Sequence, residues 1–185
     1  MVRVYSSGLN LPPFVMSRRH RVLGVDPGVS GAVAVVGPGE VDVRVWDTPT
    51  HEPRKAGRRV VDFVALMDLL LTEVDPPPDL AVVEMVGAMR GDGAAQAFAF
   101  GKATGAAMAT VSAVFRCPIE EVAPQVWKRA MRIPTGAGKD ASRARATALF
   151  PSAAWQWPLK KHDGRAEAVL LAEFQRRRNG HGDAA

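Results

Sequence analysis

Asp163 and Glu167 stand four residues apart at the head of a segment, Lys160-Lys161-His162-Asp163-Gly164-Arg165-Ala166-Glu167-Ala168-Val169-Leu170-Leu171-Ala172, whose later positions are plainly core. At 3.6 residues per turn, Asp163, Glu167, Leu170, Leu171 and Phe174 fall on one helical stripe. Two carboxylates therefore lie on the face that goes on to be buried. Side chains four apart on a helix are about 5–6 Å apart at Cβ, and like charges that close, half buried beside a sheet, resist joint ionisation unless a cation joins them. Taken alone, the pair reads equally well as an N-cap followed by a first-turn acid favoured by the helix dipole. The acids elsewhere in the chain decide between the two.

Upstream, Arg21 to Asp26 is a short β-rich run ending in Asp26-Pro27-Gly28, and Gly31 to Val36 is a second apolar run after a tight turn. Glu40 to Asp47 alternates Val41, Val43 and Val45 with polar residues and Trp46. Three strands at such short spacing predict an antiparallel meander. A cation-rich loop follows from Thr48 to Arg59. From Val60 the period becomes helical, with Val60, Phe63, Val64, Met67, Leu70, Leu71 and Val74 on one face, and Asp75-Pro76-Pro77-Pro78 closes the segment. Leu80 to Glu84 reads as a buried strand that ends in an acid. Gly87 to Gly93 is a crossover, followed by a small-residue helix from Ala94 to Val111. Its Gly101 and Gly105 let another helix approach closely, either from a second subunit or, the favoured reading, as tight packing on the chain's own sheet.

Val114 to Val122 carries a strand interrupted by Pro118, which points to an edge or bulged piece. Pro124 opens a short helix, and Lys139 to Phe150 is another, stopped by Pro151. Gly136-Ala137-Gly138-Lys139 lacks the spacer and the hydroxyl residue of a phosphate loop. Residues 1–20 show no sustained period and read as a flexible leader, within which Met16 is a candidate second start. Residues 21–178 form one domain and 179–185 a frayed end.

At 185 residues with 47% hydrophobic and 23% charged residues, the chain has room for one globular core. The single cysteine, Cys117, excludes an intrachain disulfide and a cysteine zinc cluster and suits a reducing cytoplasm. The longest apolar runs read as strand-sized or broken by glycine and charge, so neither a membrane span nor a signal peptide is expected. A net charge of +5 favours an acidic partner, nucleic acid above all.

The order of elements places a meander at one side of a mixed sheet with helices around it. A right-handed crossover then sets the strand ending in Asp26 beside the strand ending in Glu84, and the helix of Asp163 and Glu167 can complete the cluster. Four carboxylates at one point form the hard-oxygen environment that magnesium or manganese prefers. Two such ions about 3.5–4 Å apart support in-line hydrolysis of a phosphodiester. His20, His51, His162 and His181 show no mutual ligand spacing, and only His162, beside Asp163, is a candidate to support the site from behind.

Gly24-Val25-Asp26-Pro27-Gly28-Val29-Ser30-Gly31 with Val33 to Val36, then Val82-Val83-Glu84, then Asp163 to Ala172, resemble the three catalytic blocks of the RuvC-type Holliday junction resolvases of the ribonuclease H-like superfamily. The match spans roughly residues 21–175. Pro124-Gln125-Val126-Trp127-Lys128, Lys139 to Arg143, Leu149-Phe150-Pro151 and Lys161 to Ala168 look closer to the phage and chloroplast branch than to the main bacterial one. The resemblance implies an α/β, three-layer ribonuclease H-like fold with a mixed five-stranded sheet: the meander plus two parallel strands, flanked by helices. It also implies Asp26, Glu84, Asp163 and Glu167 as catalytic ligands of two Mg2+ ions (or Mn2+), a homodimer, and paired nicking of four-way DNA junctions by a cytoplasmic protein of bacterial or phage origin.

Two departures stand out. The main bacterial pattern spaces its last two acids three apart, not four. It also carries an aromatic wedge where this chain has Gly87-Ala88-Met89-Arg90, which makes Met89 the substitute candidate. Among the cations, Lys139 and Lys161 are the first candidates to touch DNA near the scissile bond, and Lys128, Lys160, Arg58, Arg59 and Arg143 follow, with Arg54, Lys55, Arg132 and Arg165 nearby. Rival readings are a nuclease for RNA–DNA hybrids, a junction-binding protein that does not cut, and an actin-like phosphotransferase, for whose two domains the chain is too short.

Overall fold

The computed structural model describes residues 3–5, 20–39, 42–52, 59–85, 93–138 and 140–181. In chain order the elements are β1 (Arg3–Tyr5), β2 (Val22–Asp26), β3 (Ala32–Val36), β4 (Val43–Asp47), β5 (Thr50–His51), β6 (Val60–Val61), α1 (Phe63–Glu73), β7 (Leu80–Glu84), α2 (Ala94–Phe115), β8 (Ile119–Val122), α3 (Pro124–Ala130), α4 (Asp140–Leu149) and α5 (Asp163–His181). The main sheet runs β1-β8-β7-β2-β3-β4. Its β2-β3-β4 portion is the expected antiparallel meander, and β7 and β8 add in parallel on the other side of β2. These are the five strands expected, with β1 paired antiparallel to β8 as a sixth. Three residues are too few to show a period, so this strand inside the stretch read as a leader was invisible in the sequence. With β1 in place, β8 is not an edge. Strand β8 also starts only after Pro118, because Val114 and Phe115 finish α2. The far end differs too: α5 continues to His181.

Strand alternation builds the layers. Val22, Ala32, Ala34, Val43, Val45, Val82 and Val122 pack with α3, α4 and α5 on one face, while Leu23, Val25, Val33, Val35, Ala81 and Val83 pack with α1 and α2 on the other. The long helix α5 lies directly on the sheet. A Cβ on Gly24 would come 2.2 Å from the carbonyl oxygen of Ala168 and 2.8 Å from the amide nitrogen of Ala172, so only glycine lets helix and strand approach this closely.

On the other face the structure corrects two expectations. In α1 the residues against the sheet are Leu66 and Leu70, followed by Val74, whereas Val64 (68% exposed), Met67 and Leu71 (59% exposed) face outward and Val60 belongs to β6. The helix is apolar at almost every position, so two stripes compete. Its start is fixed by Asp62, whose Oδ1 accepts from the Ala65 amide at 3.0 Å. In α2, Thr104, Ala107 and Val111 are buried, but Cβ atoms at Gly101 and Gly105 would meet nothing within 4 Å. Among the described residues these two glycines do not pack on the chain's own sheet, whereas Ala107 does. By length and composition alone this 22-residue helix, with an 18-residue window of mean hydropathy 1.3, is long and apolar enough to cross a membrane.

Candidate active site: four acids at one end of the sheet

Alternation carries the first two acids to the same place. Asp26 lies on the face of Val22 and Gly24, and Glu84 on the face of Val82; both faces look towards α5. Because Val25 pairs with Val83 in parallel register, the next residues, Asp26 and Glu84, finish neighbouring strands side by side. The first turn of α5 descends onto them. A Cβ on Gly164 would sit 2.4 Å from the carbonyl oxygen of Ser30 and 3.1 Å from Asp26 Oδ2, so the glycine between Asp163 and Arg165 seats the helix on the β2–β3 turn. Asp26, Asp163 and Glu167 line one cleft of about 1030 Å3. Glu84 stands next to Asp26 but is turned onto Trp127, whose Nε1–H donates to Glu84 Oε1 at 2.9 Å.

Burial holds the Asp26 carboxyl well above its usual range, and the charges of Glu84, Glu167 and Asp163 push it the same way against the opposing pull of Lys128. Burial also raises Glu84; the Trp127 hydrogen bond opposes this and the Glu167 charge adds to it. Lys128 Nζ lies 3.0 Å from Glu167 Oε1 and over the Trp127 ring, and Ser142 Oγ donates to the same Glu167 oxygen at 2.9 Å. All the donors here are hard carboxylate oxygens, which fits Mg2+ or Mn2+. Among the described residues no three acids or histidines are yet grouped to hold one ion. Trp127 holds Glu84, and Ser142 and Lys128 hold Glu167.

The expected cations divide. Lys128 belongs to the cleft, together with Arg132 and with Arg129, which the sequence reading did not single out. Arg143 is drawn away: its Nη2 pairs with Asp140 at 2.6 Å and its Nη1 donates to the Pro158 carbonyl. Lys160 and Lys161 are exposed on the turn before α5, and Lys161 acts on Asp47 and His162. His162 does not reach the acids' cleft; its Nδ1 accepts from the Leu159 amide at 3.3 Å and it caps that turn. Arg59 is exposed beside β6 and does not line the cleft. Lys139, Arg58, Arg54, Lys55, Met89 and Met16 lie outside the described residues. Trp127 and Ser142, which orient two of the acids, went unread. A buried tryptophan needs a partner for its N–H, yet nothing local says that the partner is 43 residues away.

No family model and no curated protein matches this chain. Solved structures do. A Thermus thermophilus RuvC structure superposes with a TM-score of 0.54 at 18% identity, covering 86% of this chain and 97% of the other. T. thermophilus RuvC in complex with a Holliday junction substrate gives 0.56 at 16% identity, covering 88% and 96%. The chain has the RuvC fold. That is the ribonuclease H-like architecture expected from the sequence blocks, with its three-strand meander and parallel pair. In this RuvC fold the ends of β2 and β7 and the head of α5 carry the four acids.

Proposed function

We propose that this chain is a metal-dependent endonuclease that resolves four-way DNA junctions by paired hydrolysis of opposed phosphodiesters. The observation that supports it most is the meeting of Asp26, Glu84, Asp163 and Glu167 at one end of the sheet, beside a cleft also lined by Lys128, Arg129 and Arg132. A junction substrate is recorded for one T. thermophilus RuvC of this fold. The phage and chloroplast branch is suggested by the sequence blocks alone, chiefly Lys161 to Ala168.

Asp26, Glu84, Asp163 and Glu167 would hold Mg2+ or Mn2+, which when bound supplies Lewis acidity and an activated water. Arg129 and Arg132 offer donors to a DNA backbone entering the cleft. Lys128 compensates the acid cluster through Glu167, and when Glu167 turns inward the ammonium becomes free to meet a phosphate oxygen. Burial and the neighbouring acids hold the Asp26 carboxyl above its usual range, and positive charge arriving in the cleft would act the other way.

Two symmetric cuts need two sites related by a twofold axis. The outer face of α1 and α2 supports a homodimer: Val64, Met67, Leu71 and Phe98 (75% exposed) are apolar and open, and Gly101 and Gly105 leave room for a second backbone.

The experiment is a synthetic mobile four-way junction with Mg2+, set against linear duplex and RNA–DNA hybrid, using wild type and Asp26→Asn. Paired nicks in opposed strands, absent from the variant, are the expected result. Preferential cutting of the hybrid moves the assignment to a ribonuclease H-type enzyme, and junction binding without cutting leaves only the binding reading.

A further inference from the structure

We propose that Asp47 and Arg165 form a clamp that fixes the rotation of the first turn of α5, and thereby aims Asp163 and Glu167 at Asp26. The proposal rests on the nuclease reading above. Asp47 ends β4 and, by alternation, shares the face of Val43 and Val45 with the acids. In the sheet register Asp26 pairs with Ala32, and Ala32 with Asp47. Asp47 is thus a further carboxylate at the same level of the sheet, two strands from Asp26, and it meets a guanidinium.

Arg165 reaches it as a fork. Nε donates to Asp47 Oδ1 at 2.6 Å, Nη2 to Oδ2 at 2.5 Å, and the remaining Nη1 to the Gln156 carbonyl at 2.8 Å. A planar bidentate pair fixes direction as well as distance. The direction matters because residues two apart on an α-helix lie about 200° apart around its axis. Arg165 is therefore on the opposite side of α5 from both Asp163 and Glu167, and any roll that carries it off Asp47 swings both acids off Asp26. Gly164 sets how deeply the turn sits on Ser30, but a glycine has no side chain to stop the helix rolling.

The Asp47 side chain is 62% exposed, where ion pairs add little stability. Three donated hydrogen bonds from one arginine are poorly explained by stability alone and well explained by aim. Asp47 and Arg165 are positioning residues that need touch neither DNA nor metal.

The test is Mn2+ titration of the full chain, read by electron paramagnetic resonance without DNA, for wild type, Asp47→Asn, Arg165→Lys and Gln156→Ala. Removing a residue that hydrogen-bonds a metal ligand typically weakens metal affinity about 10–100-fold, and loss of the clamp, which displaces two ligands at once, is set against that scale. Asp47→Asn and Arg165→Lys are expected to lose at least about tenfold in Mn2+ affinity, with melting in EDTA shifted by only a few degrees. Cleavage by both should fall in kcat at unchanged KM for the junction. Gln156→Ala removes two hydrogen bonds to β4 while keeping the carbonyl that Arg165 uses. It should melt earlier but bind Mn2+ like wild type, which separates aim from stability. Should Asp47→Asn fail to fold, Arg165→Lys, which keeps the charge and loses the fork, decides alone. Wild-type affinity in the folded clamp variants overturns the clamp and leaves the nuclease reading intact. A wild-type protein that binds no Mn2+ overturns that reading and the clamp with it.

Discussion

Replacing Asp26 with asparagine should abolish cleavage and yet make the metal-free protein more stable. Strands in a sheet are about 4.8 Å apart, so carboxylates on neighbouring strand ends, such as Asp26 and Glu84, come within roughly 5–6 Å. At an effective dielectric of about 20, two unit charges at that distance repel by about 3 kcal/mol. Burial is the largest cause of the raised Asp26 pKa, the charges of Glu84, Glu167 and Asp163 add to it and Lys128 offsets part, so ionised Asp26 carries a net cost on the order of 2 kcal/mol. For a chain of this size that corresponds to a rise in Tm of about 4–8 °C in EDTA. The sign depends on pH in a definite way. Because the folded-state pKa of Asp26 is raised, its favourable contribution is complete below the unfolded-state value and is lost as pH rises through the folded value. The advantage of Asp26→Asn should be absent in acid, grow through that window and level off above it. Saturating Mg2+ should narrow or invert the ranking, since a ligand at 100 times its Kd stabilises the native state by about 2.7 kcal/mol. Scanning calorimetry from acid to pH 8, with and without Mg2+, measures all of this. A variant no more stable than wild type in EDTA at pH 8, or one whose advantage does not shrink towards acid, refutes the picture of a self-repelling cluster awaiting cations.

Trp127→Phe removes the donor that opposes the raising of Glu84, so more of this acid is protonated at any given pH. The acidic limb of the pH–rate profile for junction cleavage should move to higher pH and neutral-pH kcat should fall about tenfold or more, given about 1.5–3 kcal/mol for a hydrogen bond to a charge. Gly164→Ala would stabilise an ordinary helix by about 1 kcal/mol; here the 2.4 Å approach to the Ser30 carbonyl should reverse the sign, with a loss of about 1–3 kcal/mol in urea unfolding and impaired cutting. The double variant Met67→Glu, Phe98→Glu places charge on the outer face of α1 and α2; light scattering should report a monomer, and the junction should receive unpaired nicks. A monomeric wild type that still makes paired cuts refutes the dimer face.

The sheet was legible because alternation is a strict period. Asp26 and Glu84 continue the even-numbered positions of their strands, Val22 in one and Leu80 and Val82 in the other, that face α5, so once β2 and β7 are neighbours the acids must share a face. The cations had no such constraint. Arg143 was as plausible a DNA contact as Lys128 in the sequence, and what separates them is Asp140 within reach of one and Glu167 within reach of the other. Likewise Arg165 read as one more basic residue near the acids, because its partner is 118 positions earlier at the end of β4. Long flexible side chains acquire meaning only from what they meet.

Helices α1 and α2 depart from the sequence expectation for a different reason. Hydrophobic periodicity reports which residues avoid water, not whose surface excludes it. Phe63 to Leu71 is apolar almost throughout, enough for two stripes, and only Leu66 and Leu70 are buried on the chain's own sheet. In α2 the burial of Thr104 rather than of the Gly101–Gly105 pair makes the same point, since a Cβ on either glycine would meet nothing within 4 Å among the described residues. A helix of ordinary composition would have presented charge there. The surplus of apolar and small residues on this one layer, opposite the layer that carries the acids, is the surface that the proposed homodimer would use.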